Sequence, residues 1–169
     1  VGDRRLVTIV VPTIGRREWQ RALDSIESQT IPTQWILQPD SGPKGKGAGP
    51  TRNLALKRVT TEWVGFCDDD DFLDPHYHEW LIEESPGFDM VIFKMKNSPT
   101  GAVPYTTNVD ELKYNEVGIS FALKTELALK FPFENMIGED YELIMRVKES
   151  GAKIKISERI AYFIGSVNG

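Results

Sequence analysis

Cys67 is the sole cysteine, so no disulfide can tie this chain to itself, and burial of apolar surface has to hold the fold. A lone thiol suits a reducing compartment, and the chain reads as cytoplasmic. No apolar run approaches the ~20 residues that span a bilayer, so no transmembrane segment is expected. An excess of positive charge is also missing. With 20 Lys and Arg against 25 Asp and Glu, the formal net charge is -5, which argues against the basic face of a nucleic-acid binder. Histidine is scarce too. His76 and His78 sit in "HYHE", which lacks the H-E-x-x-H order, so they read as surface or core-edge imidazoles rather than zinc ligands.

What is present supports one core. In 169 residues that are 40% hydrophobic and 27% charged, a single globular domain can bury enough surface to fold. The start at Val1 and the abrupt end at Gly169 read as a domain cut from a longer chain. Leu6 to Val11 is a β-branched run closed by Pro12, which predicts a buried strand. Trp19, Ala22, Leu23 and Ile26 fall at helical spacing, predicting a helix from Arg17 to about Ser28. Trp35–Leu37 predicts a second strand. Pro50 then stands as a first-turn proline opening a second helix. Trp63 to Cys67 is a third strand, Pro75 to Glu84 a helix and Met90 to Met95 a fourth strand.

Beyond Met95 the pattern loosens. "SPTGAVPYTTN" reads as an exposed connection, and "ISFALKTELALK" as a short strand and helix. "GEDYELIMRVKESG" predicts a helix with Asp140 near its start, Tyr141, Ile144, Met145 and Lys148 along one side, and Gly151 just past its end. Residues 153 to 164 read as two β-like runs. Strands alternating with helices predict an α/β fold: a mainly parallel central sheet covered on both faces. Ligands in such sheets bind outside the carboxyl ends of the strands. "PTIGRR", "PDSG" and "DDDDF" all lie at such ends.

The run Asp68–Asp71 concentrates like charges that repel by roughly 1 kcal/mol per pair even in water. In an extended segment Asp68 and Asp70 share a side and Asp69 points elsewhere. That arrangement suits Mg2+ or Mn2+, which share their coordination with waters and phosphates; a solvated acidic loop before a helix is the plainer alternative. An EF-hand does not fit. Counted from Asp68, Glu79 reaches position twelve, but Phe72 and Leu73 occupy the places of a ligand and the required glycine. "GPKGKGAGPTRN" lacks the Walker order, and Arg52 stands where G-x-G-x-x-G needs its last glycine. Its glycines, with Lys44, Lys46 and Arg52 near a helix start, still suit an anion. Cys67, at the end of an apolar strand, reads as a buried inert thiol. Glu139 and Asp140 alone read as helix N-terminal acids. Beside an upstream metal site a general base becomes plausible.

The ordered set "VTIVVPTIGRREWQRALDSIESQT", "GPTRNLAL", "WVGFCDDDDFLDP" and "GEDYELIMRV" resembles the inverting family 2 glycosyltransferases, over roughly residues 6 to 156. The resemblance implies a single GT-A domain, the Rossmann-like fold of nucleotide-diphospho-sugar transferases. Residues of about 1–100 would form the nucleotide-binding half, ending in the D-x-D region, and about 101–169 the acceptor and catalytic-base half. It further implies transfer of one sugar from a nucleoside-diphosphate sugar, a UDP-sugar by family frequency, to a hydroxyl acceptor such as a glycan, with Mn2+ or Mg2+ at the diphosphate. By the family pattern Thr13 lies in the nucleotide-facing first loop, Asp40 near the base or ribose, and Arg52 beside the donor. Asp69 approaches the ribose, Asp70 is the best metal ligand with Asp68 second, and Asp140 is the catalytic base. Pro39–Asp40 replaces the usual acidic pair, and "LIMRV" lacks the Q-x-x-R-W pattern of processive synthases, which favours single-sugar addition. So short a domain leaves the acceptor pocket to a neighbouring domain or a second copy, as in a homodimer. Two other readings stay open: a sugar-phosphate nucleotidyltransferase, for which "PTIGRRE" is a poor glycine-rich loop, and a non-catalytic nucleotide-sugar binding module.

Overall fold

The computed structural model describes residues 5–15, 19–40 and 47–165. Its first half runs β1 (Val7–Thr13), α1 (Trp19–Glu27), β2 (Gln34–Pro39), α2 (Ala48–Leu56) and β3 (Trp63–Phe66). The β-branched run of β1 is buried at every position, so both of its faces are covered. Helix α1 buries Ala22, Leu23 and Ile26, as its spacing predicts; the expected start at Arg17 lies outside the described residues. Helix α2 begins two residues before Pro50, which therefore occupies its third position.

The second half contains β4 (Phe72–Leu73), α3 (Tyr77–Glu84), β5 (Met90–Lys96), β6 (Ala102–Val103), β7 (Phe121–Lys124), α4 (Thr125–Lys130), α5 (Glu139–Glu149) and β8 (Ile154–Phe163). The two runs expected near the end are one strand. Ladder shifts between Ile92 and Met95 of its partner let β8 continue as a single element. Helix α5 buries Leu143, Ile144 and Val147, while Tyr141 and Met145 pack only partly against the core.

The strand order is β2-β1-β3-β7-β5-β8-β4, with β6 on β5. The parallel sheet is present where the first β-α units lie, as β2-β1-β3. Strand β7 then enters antiparallel between β3 and β5, while β5 and β8 pair in parallel. This insertion brings the far half of the chain beside β3. In register, Thr13 faces Pro39 and Val10 faces Phe66, so the polar residues after β1, β2 and β3 emerge abreast at one sheet edge.

Packing is tight enough to require glycine within β3. A Cβ on Gly65 would stand 2.5 Å from the Tyr77 hydroxyl and 3.0 Å from Ile9 Cδ1. Tyr77 is buried and its hydroxyl has no hydrogen-bond partner among the described residues. Gly65→Ala should therefore cost about 2 kcal/mol by overpacking, a fall in Tm of roughly 6 °C for a domain this size. Tyr77→Phe removes the obstructing, orphaned hydroxyl and should recover much of that loss in the double variant. Thermal unfolding of the four proteins of the cycle measures both effects.

Candidate active site

A cleft of about 280 Å³ opens at the edge where the three strands end, lined by the loop after β1, Asp40, the start of α2 and the acidic turn. Thr13 hydroxyl donates to Asp69 Oδ2 at 2.8 Å, and Ile14 N–H donates to the same oxygen at 3.3 Å. Asp40 N–H donates to the Thr13 carbonyl at 2.8 Å, and Asp40 Oδ2 accepts from Gly47 N–H at 3.0 Å. That last contact joins the two ends of the loop carrying Lys44 and Lys46, which lie outside the described residues. Thr13, Asp40, Asp68, Asp69 and Asp70, all named from sequence, thus line one cleft.

The acidic run is a turn rather than an extended segment: Asp71 N–H donates to the Asp68 carbonyl at 3.0 Å and folds the chain back. The alternation rule of an extended segment therefore does not apply here; Asp69 bonds Thr13 and Ile14 while Asp68 pairs with Arg52. A solvated loop fails, because Asp69 and Asp71 are 4% and 6% exposed. Each buried carboxylate has donors. Asp71 accepts from the Tyr162 hydroxyl at 2.6 Å and from Gly165 N–H at 3.1 Å. Tyr162 in turn accepts from Asp68 N–H at 3.0 Å. Burial nevertheless outweighs these bonds and pushes the Asp71 pKa up to about 6.

Arg52 is only 2% exposed and does not line the cleft. It stands behind the acidic turn. Nη2 donates to Asp68 Oδ1 at 2.8 Å and Nη1 to Glu139 Oε1 at 3.0 Å. The guanidinium carbon lies 5.1 Å from the Phe133 ring centroid and 6.0 Å from that of Phe66, within or at the limit of cation–π range. Burial works against the charge, yet the two carboxylates more than offset it and hold the pKa above the ordinary arginine value. Asn53, next in sequence, binds Phe133 both ways: its Nδ2 donates to the carbonyl at 2.8 Å and its Oδ1 accepts from the N–H at 2.9 Å. Gly49 permits this approach, since a Cβ there would fall 2.9 Å from the Glu134 carbonyl oxygen. The Arg-Asn pair of α2 therefore fastens the segment before α5 onto the acidic turn.

Asp140 follows Glu139 in the first turn of α5, after Gly138 at φ +80°. Its Oδ1 accepts from Tyr141 N–H at 2.7 Å. Burial raises its pKa; that hydrogen bond and the nearby Arg52 charge pull it down, while Glu139 pushes it up, and the net shift is upward.

Among the described residues no group of three or more His, Cys, Asp or Glu side chains is arranged to hold a metal. His78 is buried against the Thr33 hydroxyl, and His76 lies on Asp74 and stacks on Trp80. Cys67 is fully buried, and burial pushes its thiol pKa well up, as suits an inert thiol. Among the described residues the carboxylates that line the cleft are Asp40, Asp68, Asp69 and Asp70, of which Asp70 and Asp68 are the pair expected to meet a cation. Such a set fits an ion that takes one or two carboxylates and completes its shell with waters and phosphates.

Sequence reasoning did not anticipate the tie between Arg52 and Glu139, which lie 87 positions apart. Tyr162 as a support of the turn was also missed, because a tyrosine late in a strand carries no signal of its partner.

The cleft lies outside the carboxyl ends of parallel strands beside a helix start, which is where open α/β sheets bind their ligands. The sequence profile of glycosyl transferase family 2 matches residues 34–137, more than half of the chain. The chain belongs to that family, and its fold is GT-A. No curated protein matches it. Among solved structures, Staphylococcus aureus TarS 1-349 superimposes with a TM-score of 0.76 at 19% identity, over 95% of this chain and 60% of that one. The mannosyltransferase PcManGT from Pyrobaculum calidifontis, in complex with GDP-Man and Mn2+, gives 0.68 at 15%, over 95% and 57%. Glucosyl-3-phosphoglycerate synthase from Mycobacterium tuberculosis, with Mn2+, UDP and glucosyl-3-phosphoglycerate, gives 0.65 at 15%, over 93% and 71%. The chain thus spans about three fifths of the length of TarS 1-349. Among the described residues no helix is long and apolar enough to cross a membrane.

Replacing Arg52 by Met would leave Asp68 and Glu139 without their shared cation, at a cost of about 3 kcal/mol. Arg52→Lys should recover only part of this, because an ammonium cannot present the planar fork that reaches both carboxylates. Urea unfolding of the two variants measures the difference.

Proposed function

We propose that this domain transfers one sugar from a UDP-sugar to an acceptor hydroxyl with inversion, using Asp140 as the general base and a divalent cation, Mn2+ or Mg2+, held by Asp70 and Asp68. The observation that carries this reading is the double ion pair of Arg52. It joins a carboxylate of the cleft to the residue preceding Asp140, so the donor side and the base belong to one unit. TarS 1-349 has also been solved in complex with UDP-GlcNAc, and the synthase with UDP and Mn2+, which favours uracil as the nucleobase.

In this reading Thr13, Asp40 and Asp69 face the nucleoside. Asp69 is pre-oriented by the Thr13 hydroxyl and the Ile14 amide, so it need not rearrange when the ribose arrives. Arg52 acts from behind the donor by fixing Asp68. Bound beside Asp70 and Asp68, a divalent cation would supply Lewis-acid neutralisation of the leaving diphosphate. An acceptor hydroxyl is a poor nucleophile near neutral pH. The Asp140 carboxylate takes its proton as the oxygen attacks the anomeric carbon, and the bond from that carbon to the diphosphate breaks with its electron pair going to UDP. Attack from the face opposite the leaving group inverts the centre.

Asp140→Asn should lower kcat by roughly 10²–10⁴-fold with UDP affinity preserved. Only the deprotonated carboxylate accepts a proton, and its pKa is raised by burial. Wild-type activity should therefore fall on acidification at a pH above the ordinary aspartate value of about 3.9. Initial rates of UDP release across pH read both effects; an unchanged rate in the Asn variant removes Asp140 from the chemistry. A chelator titration with Asp70→Ala tests the cation separately. Full turnover in excess EDTA would eliminate the metal from the proposal.

A further inference from the structure

We propose that Tyr114 and Tyr141 form the acceptor platform, and that the acceptor presents a neutral pyranose ring rather than a phosphorylated group. This rests on Asp140 being the base. The connection from residue 104 to 120, between β6 and β7, is strapped to the core by buried Leu112 and to α5 by an ion pair of Asp110 with Lys148 at 2.9 Å. It delivers Tyr114 and Gly118 to the start of α5. The Tyr114 ring covers Gly138, where a Cβ would come within 2.2 Å of a ring carbon. It meets Tyr141 edge to face at 5.8 Å and 82°. Gly118 approaches from the same connection, its Cβ position 4.0 Å from Asp140 Oδ2. The ring pair thus sits at the first turn of α5, on Gly138 and on the residue that follows Asp140, and Tyr114 keeps 52% of its surface exposed.

An exposed ring beside a proton acceptor suits a ligand with an apolar face and hydroxyl edges. A pyranose offers both, with its C–H face on the ring and a hydroxyl toward Asp140. Local charge disfavours a phosphate. The first turn of α5, which would otherwise attract anions, carries Glu139, Asp140 and Glu142. Among the described residues the cations paired around α5 are already engaged: Arg52 on Asp68 and Glu139, Arg146 on Glu142, and Lys148 on Asp110. Lys113 is exposed but shares its turn with Glu116, whose N–H donates to the Lys113 carbonyl at 3.0 Å.

Saturation-transfer NMR on the whole chain with UDP and diamagnetic Mg2+ tests this, using neutral methyl pyranosides and oligosaccharides against the matching sugar phosphates and 3-phosphoglycerate. Neutral pyranosides should receive saturation at their ring C–H protons and outcompete the phosphates. Affinity should fall about tenfold in Tyr114→Ala and persist in Tyr114→Phe. Tyr114→Leu, which still covers Gly138, should lose binding as the Ala variant does, which separates the aromatic face from local packing. Preference for phosphates, no pyranoside signal, or wild-type affinity in the Leu variant overturns the platform. UDP affinity of the wild-type protein in the same samples reads the donor side independently, so failure of the transferase reading is told apart from failure of the platform.

Discussion

One buried guanidinium carries the architecture of this site. Placing Arg52 at 2% exposure costs several kcal/mol of hydration, which only good geometry can offset. Two carboxylates and the faces of two phenylalanine rings supply that geometry. Because Asp68 belongs to the turn after β3 and Glu139 to the start of α5, the requirement that both reach Arg52 fixes one half of the chain against the other. The neighbouring Asn53 adds two hydrogen bonds to Phe133 and closes off sliding along the same contact.

The same contacts explain how four consecutive aspartates are tolerated. Sequence alone invites the answer that a bound dication offsets the repulsion. Much of the work is done by the protein itself: Asp68 pairs with Arg52, Asp69 accepts from Thr13 and Ile14, and Asp71 accepts from Tyr162 and Gly165. Asp68, Asp69 and Asp71 are therefore held by donors of the fold, and each hydrogen bond to a charged group is worth roughly 1.5–3 kcal/mol. A cation in the cleft would add to a turn that is already built, which is the pre-organisation an electrostatic site needs.

The fold was legible where local chemistry decides it. The β-branched run of β1, apolar residues at helical spacing and Gly151 beyond α5 each gave an element in the right place, although β1 runs through Pro12 to Thr13 instead of stopping before it. The three polar turns were legible as one cleft because parallel strands must end at a common edge. Pairing was not legible. Nothing in "FALK" says that β7 inserts antiparallel between β3 and β5, since a buried strand reads the same in either direction. β4 and β6 have two residues each, too short for any period to register. The acidic run was read as extended because alternation was the available rule; the hydrogen bond from Asp71 to Asp68 that makes it a turn depends on how Tyr162 and the segment ending at Gly165 close over it. Arg52 was legible as a residue, but its burial between Asp68 and Glu139 was not, because its second partner is 87 positions away.

The insertion of β7 also bears on the proposed base. By placing the chain leading to α5 beside β3, it allows Glu139 to take the second arm of Arg52 instead of remaining an uncompensated charge next to Asp140. Two adjacent carboxylates with no cation would push each other toward protonation, and burial already pushes Asp140 that way. Arg52 acts in the opposite direction, both through its own field at Asp140 and by pairing the neighbour. A base that is too acidic accepts protons weakly, whereas one whose pKa climbs too far is protonated before it can act. Burial has the largest influence on Asp140, and the guanidinium that ties the acidic turn to α5 is a smaller opposing one, so assembly of the site and the strength of its proposed base share a contact.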